Sequence, residues 1–327
     1  MNNLITDVAG LRVGHADDAR LGSGSTVMLF DEPAVASVDI RGGGPGTRET
    51  DLLSPAATVE RIDAIAISGG SAFGLEAAAG ATAWLAEQGR GFTIGTVVVP
   101  IVAGAILFDL LAPGDKKWGR HSPYRGFGHA AAASADTTFT LGTAGAGMGA
   151  TVENLKGGIG SASAKTTTGH VVGALAAVNA VGRVTMGDGP HFWAAPFEVG
   201  REFGGVGLPS PLPTPPHPVH LKGQARQNTT PCIVATDAVL TKAQAARVAV
   251  MATAGMAHAI YPVFSPLDGD IVFAVATGKK PLTDPVLDLA RIGAAAADCL
   301  ARAIARGVYE AKSVPGGLPS WRDKFAK

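Results

Sequence analysis

Six prolines fall within ten residues, at positions 209, 211, 213, 215, 216 and 218, and neither a regular helix nor an interior strand can pass through them. Glycines precede this stretch from Gly204, and the polar run Lys222-Gly-Gln-Ala-Arg-Gln-Asn228 follows it. The chain is therefore predicted to run as an exposed, extended loop from Gly204 to Asn228. Immediately beyond lies Thr230–Thr236, apolar and β-prone, which reads as a buried strand. A long loop that ends abruptly on a core strand brings Asn228-Thr229-Thr230 to a defined place. If the Asn228–Thr229 bond breaks, Thr229 becomes a new amino terminus at the head of a rigid element. An ordinary threonine hydroxyl is a poor nucleophile. An amino-terminal threonine carries its own base, because an α-amino group titrates near roughly 7.7–8.0 and can take the hydroxyl proton at neutral pH. The plain alternative is a loop-to-strand junction with a β-prone threonine.

The rest of the chain supplies a core for such a strand. Of its 327 residues 46% are hydrophobic and 17% charged, while aromatics make up only 6% and glycine counts 44. That composition suits closely packed strands and Ala-rich helices, and the length allows one large domain or two small ones. Predicted strands are Ser25–Phe30 and Val35–Ile40, joined as a hairpin through Asp31-Glu32-Pro33, then Ile62–Ser68, Thr93–Val102, Thr137–Thr143, His170–Val181 and Ile271–Thr277. A helix is predicted from Ser71 to about Gln88. Thr241 caps another over Lys242–Ile260, and Thr283 or Asp284 with Pro285 opens a last one to about Tyr309. The two C-terminal helices are Ala-rich on all sides, which implies burial between layers or subunits.

Several function classes are set aside. Lys plus Arg equals Asp plus Glu at 27 each, with no basic stripe, so no nucleic-acid partner is expected. Arg41-Gly-Gly-Gly-Pro-Gly46 is followed by neither a helix nor Gly-Lys-Ser/Thr, and is not read as a phosphate loop. The eight histidines have no metal-site spacing, so neither a metal nor any cofactor is expected. Cys232 and Cys299 each sit in an apolar stretch and read as buried thiols of a reducing compartment. No signal peptide or membrane span is seen, which gives a cytoplasmic expectation.

Three further features bear on chemistry. Asp268-Gly269-Asp270 is a tight turn whose two carboxylates can converge beside a nucleophile, or simply a hairpin turn. Asn179 interrupts an apolar strand, and a buried amide must find partners or cost ~1–3 kcal/mol. It is as well suited to bridging backbone as to donating to an oxyanion. Lys156 stands between glycine-rich segments, where a lone lysine is usually solvated.

Together these residues resemble the self-processing peptidase family of the L-aminopeptidase/D-esterase DmpA, which includes β-aminopeptidases and nylon-oligomer hydrolases. The resemblance covers nearly the whole chain. It runs through Val8-Ala-Gly-Leu-Arg-Val-Gly-His15, Ser68-Gly-Gly-Ser-Ala-Phe-Gly-Leu-Glu76, Ala144-Gly-Ala-Gly-Met148, Leu155-Lys-Gly-Gly-Ile-Gly-Ser-Ala-Ser163, Asn228-Thr-Thr230 and Asp268-Gly-Asp270. The last two are closest to the nylon-oligomer hydrolase branch. The resemblance implies an α/β fold of four layers, α-β-β-α, of the N-terminal nucleophile hydrolase type. One domain over residues 1–327 is then cut into chains 1–228 and 229–327. It implies Thr229 as nucleophile, Asp268 and Asp270 as its supports, Lys156 in the cleft and Asn179 at the oxyanion. It implies a homo-oligomer, commonly of four cleaved units. The implied substrates are linear amides such as aminohexanoate oligomers. Alternatives are aminopeptidase action of the β-peptidyl or L-aminopeptidase/D-esterase type, and acyl transfer of the ornithine acetyltransferase type, which shares the general fold. A non-catalytic scaffold that never processes is a reading from another class. Where the family carries a cleft tyrosine, this chain has Phe108.

Overall fold

The computed structural model describes residues 1–215, 217–223 and 228–326. Its strands are β1 (Leu11–Asp18), β2 (Ser23–Ile40), β3 (Thr47–Arg48), β4 (Arg61–Ser68), β5 (Phe92–Ile94), β6 (Val97–Val99), β7 (Val102–Ile106), β8 (Ile159–Lys165), β9 (Val171–Ala177), β10 (Pro231–Ala238) and β11 (Ile271–Lys280). The helices are α1 (Glu76–Glu87), α2 (Tyr124–Ala133), α3 (Lys242–Ala259), α4 (Pro285–Tyr309) and α5 (Trp321–Phe325). Strand order is β3-β7-β4-β2-β11-β10-β9-β8, with β1 pairing β2, while β5 and β6 form a separate pair.

The long strand β2 makes two layers out of one ladder. Its first half pairs antiparallel with β1 and β4, and its second half, Val35–Ile40, pairs with β11. The register with β4 shifts between Leu29 and Ala34, where Asp31-Glu32-Pro33 is exposed. The predicted hairpin at this point is thus wrong. The turn-forming residues cause an irregularity within a continuous strand, because each half has its own partners. An added stretch of this kind bends a strand and increases its twist, so the two halves of the ladder face each other.

Side-chain alternation then fixes the layers. On β11, Val272, Ala274 and Ala276 pack with α3 and α4, whereas Ile271, Phe273 and Val275 enter the space between the sheet halves. On β4, Ile65 and Ile67 enter that same space from the other side, and Ala64 and Ala66 pack on α1. The result is α-β-β-α, as predicted. Each large apolar side chain buried in the middle is worth ~1.5–3 kcal/mol. The Ala-rich character of the C-terminal helices is explained by close approach: a β-carbon added at Gly160 of β8 would lie 1.8 Å from the Ala303 carbonyl of α4. Cys232 and Cys299 are buried free thiols.

Other predicted elements shift. Thr93–Val102 is not one strand but the β5–β6 hairpin leading towards β7. Thr137–Thr143 forms no strand: it lies outside the ladder, with isolated bridges at Asp136 and Gly142 and side-chain bonds to the Thr137 and Thr140 carbonyls and the Thr143 hydroxyl in place of strand pairing. The strand expected over His170–Val181 stops at Ala177. The helix expected from Ser71 begins as a tight 3-10 turn over Ser71–Leu75. Thr241 does cap α3, with Gln244 closing a capping box, and Asp284 rather than Thr283 caps α4. Among the described residues, no helix is long and apolar enough to cross a membrane.

Candidate active site

Parallel neighbours β10 and β11 start side by side, Pro231 opposite Ile271. The residues just before them, Asn228-Thr229-Thr230 and Asp268-Gly269-Asp270, therefore meet at one end of the sheet. Asn228 and Asp268 form a parallel bridge. The Asn228 N–H donates to the Leu267 carbonyl at 3.0 Å, and the Gly269 N–H donates to the Asn228 carbonyl at 2.7 Å. The Thr229 hydroxyl lies 2.6 Å from that same carbonyl oxygen and donates to it. The Thr229 N–H donates to the Asn179 carbonyl at 3.1 Å. Thr229 is only 3% exposed, yet it and Asn228 line a cavity of about 280 Å³ with Gly44, Ser71, Ile106 and Phe108.

Both predicted aspartates are buried in this corner, but they grip the backbone rather than the Thr229 hydroxyl. Asp268 accepts from the Val181 N–H at 3.0 Å and from the Ser265 hydroxyl at 2.8 Å. Asp270 accepts from the Thr230 N–H at 3.0 Å and the Phe264 N–H at 3.1 Å. Burial, and then the neighbouring Asp268 charge, push the Asp270 carboxyl up to about 7, against the pull of its two N–H donors. Burial also raises Asp268, opposed by the Ser265 and Val181 bonds and by the Lys222 ammonium. The turn is not that of a hairpin: it stands between α3 and β11, and its carboxylates are buried.

Asn179 lies two residues beyond β9, fully buried. Its Oδ1 accepts from the Thr151 N–H at 3.0 Å and from the Lys222 ammonium at 3.2 Å, and its Nδ2 donates to the Phe108 carbonyl at 3.2 Å. Two donors on Oδ1 fix the amide's orientation, so Nδ2 is turned toward the cleft residue Phe108. Lys156 is not solvated. Its ammonium is buried and donates to the carbonyls of Gly147, Ala150 and Gly157 at 2.7, 2.8 and 2.9 Å. Burial pulls it down to about 7, with Asp109 opposing and Lys222 adding to the shift. It lines a different cavity from Thr229, of about 250 Å³, reached past Gly149 and Thr151.

Lys222 and Gly269 are the functional candidates that sequence reading missed. Lys222 looked like part of a solvated polar run. Its ammonium instead donates to Asn228 Oδ1 at 2.7 Å, to the Thr151 carbonyl at 3.1 Å and to Asn179. Only its place six residues before the junction could have hinted at this. Gln224, Ala225, Arg226 and Gln227 of the same run lie outside the described residues. His217, in the proline-rich loop, packs edge-on against Trp193 at 5.3 Å and Tyr261 at 5.9 Å. Gly269 was legible only as a turn residue. A β-carbon there would stand 2.5 Å from the Thr229 hydroxyl oxygen and 2.5 Å from the Gly44 carbonyl. Gly269→Ala is therefore expected to block any chemistry at Thr229 by at least ~10²-fold, since misplacing reacting groups by about 1 Å has that scale. Intact-mass and turnover measurements will check it, and normal rates would mean the oxygen reacts from elsewhere.

Asp109 adds a third buried carboxylate, on the cleft wall. It accepts from the Ser23 hydroxyl at 2.6 Å and the Gly70 N–H at 2.8 Å, and Tyr124 donates to Ser23 at 3.0 Å. This explains the Ser68-Gly-Gly-Ser stretch, because a β-carbon at Gly69 would sit 2.2 Å from the Asp109 carboxylate. Among the described residues no group of three or more His, Cys, Asp or Glu is placed to hold a metal.

Residues 3–318 match peptidase family S58. The chain belongs to that family. A Mycobacterium bovis protein described as an uncharacterized aminopeptidase is 43% identical, over 99% of this chain and 98% of the relative. The 6-aminohexanoate-oligomer endohydrolase of a Kocuria species is 31% identical, over 44% of this chain and 37% of its own. Among solved structures, the Burkholderia β-aminopeptidase superposes with a TM-score of 0.71 at 22% identity, covering 99% of this chain and 92% of that one. The L-aminopeptidase D-Ala-esterase/amidase of Ochrobactrum anthropi, a variant of the N-terminal nucleophile hydrolase fold, gives 0.70 at 19%, covering 95% and 86%. Family S58 membership makes this chain a peptide or amide hydrolase of the same fold.

Proposed function

We propose that this S58 member cuts itself between Asn228 and Thr229, and that the freed Thr229 hydrolyses amides from their amino end. The observation that carries this reading is the contact of the Thr229 hydroxyl with the Asn228 carbonyl, whose oxygen is already held by the Gly269 N–H. In the self-cleavage step the Thr229 oxygen bonds to the Asn228 carbonyl carbon, and Gly269 stabilises the oxyanion. The carbon–nitrogen bond then breaks, and the hydroxyl proton ends on the Thr229 nitrogen. Water hydrolyses the resulting ester, leaving an Asn228 carboxylate and a free threonine. In turnover the α-amine takes the hydroxyl proton, the same oxygen attacks the substrate carbonyl, and the proton passes to the leaving amine. A water then releases the acyl group. Asn179 Nδ2 is the donor we assign to the oxyanion in turnover. Lys156 serves by holding the Gly147–Gly157 loop under the cleft.

Aminopeptidase-type action moves ahead of internal cleavage of oligomers, because the relatives matching over the whole chain are described as aminopeptidases. Linear aliphatic amides remain as substrates for a specific reason. Phe108 walls both the Thr229 cavity and the adjoining one of about 260 Å³ where a tyrosine would be polar. Product analysis on α-peptide amides, β-peptides and ω-amino acid oligomers tests the reading. Release of internal fragments without the amino-terminal residue would overturn it. Activity is also expected to survive exhaustive chelation, since threonine and its amine supply nucleophile and base; a requirement restored by added zinc or manganese would sink the mechanism. Self-association fits the exposed Phe92, Ile94, Val97 and Val99 of the β5–β6 hairpin.

A further inference from the structure

Two walls of the Thr229 cavity carry a residue type that their own backbone does not call for. The first is Gly44, in the Arg41-Gly-Gly-Gly-Pro-Gly46 loop. This loop is pinned to the Asp268–Asp270 turn. The Arg41 and Gly42 N–H groups donate to the Asp270 carbonyl at 3.0 and 3.1 Å, and the Gly44 N–H donates to the Asp268 carbonyl at 2.8 Å. Packing explains Gly42, where a β-carbon would stand 2.2 Å from the Asp270 nitrogen, and Gly43, where one would stand 2.8 Å from Pro266. Neither packing nor conformation explains Gly44. Its backbone is outside the left-handed region, and an added β-carbon would meet only the Asp268 carbonyl oxygen, at 3.8 Å. Gly44 stands beside the nucleophile, since its carbonyl oxygen and the Thr229 hydroxyl oxygen each lie 2.5 Å from the point where a Gly269 β-carbon would sit. The fold thus has room for a side chain next to Thr229 and leaves it open.

Ser71 is the reverse case. It follows Gly69 and Gly70 after β4 and has a φ of +52°, in the left-handed region where a side chain is strained and glycine is not. The turn is fixed from both sides. Asp109 accepts the Gly70 N–H at 2.8 Å, and the Ser71 N–H donates to the Leu107 carbonyl at 3.0 Å. A third glycine would relieve the strain, yet a hydroxyl is kept, and among the described residues that hydroxyl has no hydrogen-bond partner. Strain at a non-glycine residue that lines a reaction cavity points to a use for its side chain. Among the described residues, Ser71 is, apart from Asn228 and Thr229, the only polar side chain on this lining. Pro45, Ala72, Leu75, Ile106 and Phe108 make the rest apolar, and no carboxylate is among them.

We propose that Gly44 and Ser71 are the specificity residues of the acyl site: the residue to be removed lies against Gly44, and the Ser71 hydroxyl accepts a hydrogen bond from its amine. This rests on Thr229 being the nucleophile, and it names what selects the acyl group. The missing side chain at Gly44 sets how large that group can be beside the reacting carbonyl. The hydroxyl of Ser71 tells a free amine from an acylated one. An acylated nitrogen has a single N–H and no charge, so its bond to the same oxygen is weaker than that of an ammonium.

The test compares wild type with Ser71→Ala, Ser71→Gly, Gly44→Ala and Gly44→Val, each first checked for cleavage by intact mass. The substrates are glycyl, alanyl and leucyl p-nitroanilides and their N-acetyl forms. Both Ser71 variants are expected to lose ~10-fold or more in kcat/KM on the free-amine substrates, the scale of one hydrogen bond to a charged group, and much less on the acetylated ones. Ser71→Gly relaxes the backbone and should withstand at least as much urea as wild type, whereas Ser71→Ala keeps the strain. Equal losses in the two assign the effect to the hydroxyl. Gly44→Val should lower the leucyl-to-glycyl ratio of kcat/KM by ~10-fold or more, the scale of a one-methylene misfit in a closed pocket, with Gly44→Ala in between. Normal free-amine rates in Ser71→Gly, or an unchanged ratio in Gly44→Val, would overturn the proposal. So would variants that stay uncut while wild type is cut, since these walls would then serve the junction rather than the substrate. Wild type that is itself uncut or inactive would instead count against the threonine reading.

Discussion

Purified wild-type protein is expected to resolve into two chains, residues 1–228 and 229–327, that stay together without a disulfide, while Thr229→Ala stays a single chain. The two segments cannot part easily. β10 and β11 of the second lie between β9 and the far half of β2 of the first, with α3 and α4 covering them. Thr229→Ala removes a hydroxyl and a methyl at one buried position. The Gly269 N–H keeps its bond to the Asn228 carbonyl, so the variant should fold. Turnover should fall by roughly 10⁴-fold or more, since removing a nucleophile leaves only binding and oxyanion contributions. Thr229→Ser retains the oxygen and should still be cut. Intact-mass measurement decides both points. A wild-type chain cut at another bond, or an alanine variant cut normally, would remove Thr229 from the mechanism.

The layers were expected from the family resemblance, whereas the connections had to be read from local signals. An apolar run such as Ile271–Val275 says that both faces of β11 are buried, but only the fold shows that one face meets α3 and α4 and the other a second sheet layer. The strand β2 was misread because Asp31-Glu32-Pro33 has turn chemistry. Only the separate partners of each half, β4 and β11, keep the chain extended through it. β1 and β8 were missed because Gly14 and Gly160 weaken their local strand signal. Each glycine is there for a backbone that lies elsewhere in sequence: a β-carbon would stand 2.0 Å from the Ala131 carbonyl at Gly14 and 1.8 Å from the Ala303 carbonyl at Gly160.

The site was legible to the same limit. Thr229, Asp268 and Asp270 were brought together by the family resemblance, since the sequence shows a strand after each but not that β10 and β11 are neighbours. What those carboxylates hold could not be read, since the Val181, Thr230 and Phe264 amides and the Ser265 hydroxyl come together only in the fold. Lys222 was hidden for the opposite reason. It stands in a polar run of sequence, its neighbours Leu221 and Gly223 are exposed, and its partners Thr151 and Asn179 are 71 and 43 residues away.

Replacing Asp270 with asparagine is expected to cost activity while shifting the pH dependence of stability in the variant's favour. The two carboxylate oxygens each accept a backbone N–H, from Thr230 beside the nucleophile and from Phe264. Asparagine has one acceptor and one donor on that fork, so one N–H loses its partner and the head of β10 shifts. Asp270 is thus a positioning residue, and turnover should drop by ~10²-fold or more, the lower end of what a misplaced acid–base apparatus loses. Asp268→Ala should lose a similar factor, through the Val181 N–H and the Lys222 ammonium. Stability moves the other way with pH. The Asp270 carboxyl is raised from 3.8 to about 7 in the folded chain, so between those values the native state keeps a proton that the unfolded chain has released. Its contribution is full below about 3.8 and is lost as pH rises through about 7, where the buried group must carry charge. Asparagine does not titrate. In urea titrations from pH 4 to pH 8, wild type should therefore lose stability relative to Asp270→Asn. A gap that stays constant across that range would mean Asp270 is ionised throughout, and normal turnover in the variant would reduce Asp268-Gly269-Asp270 to a structural turn.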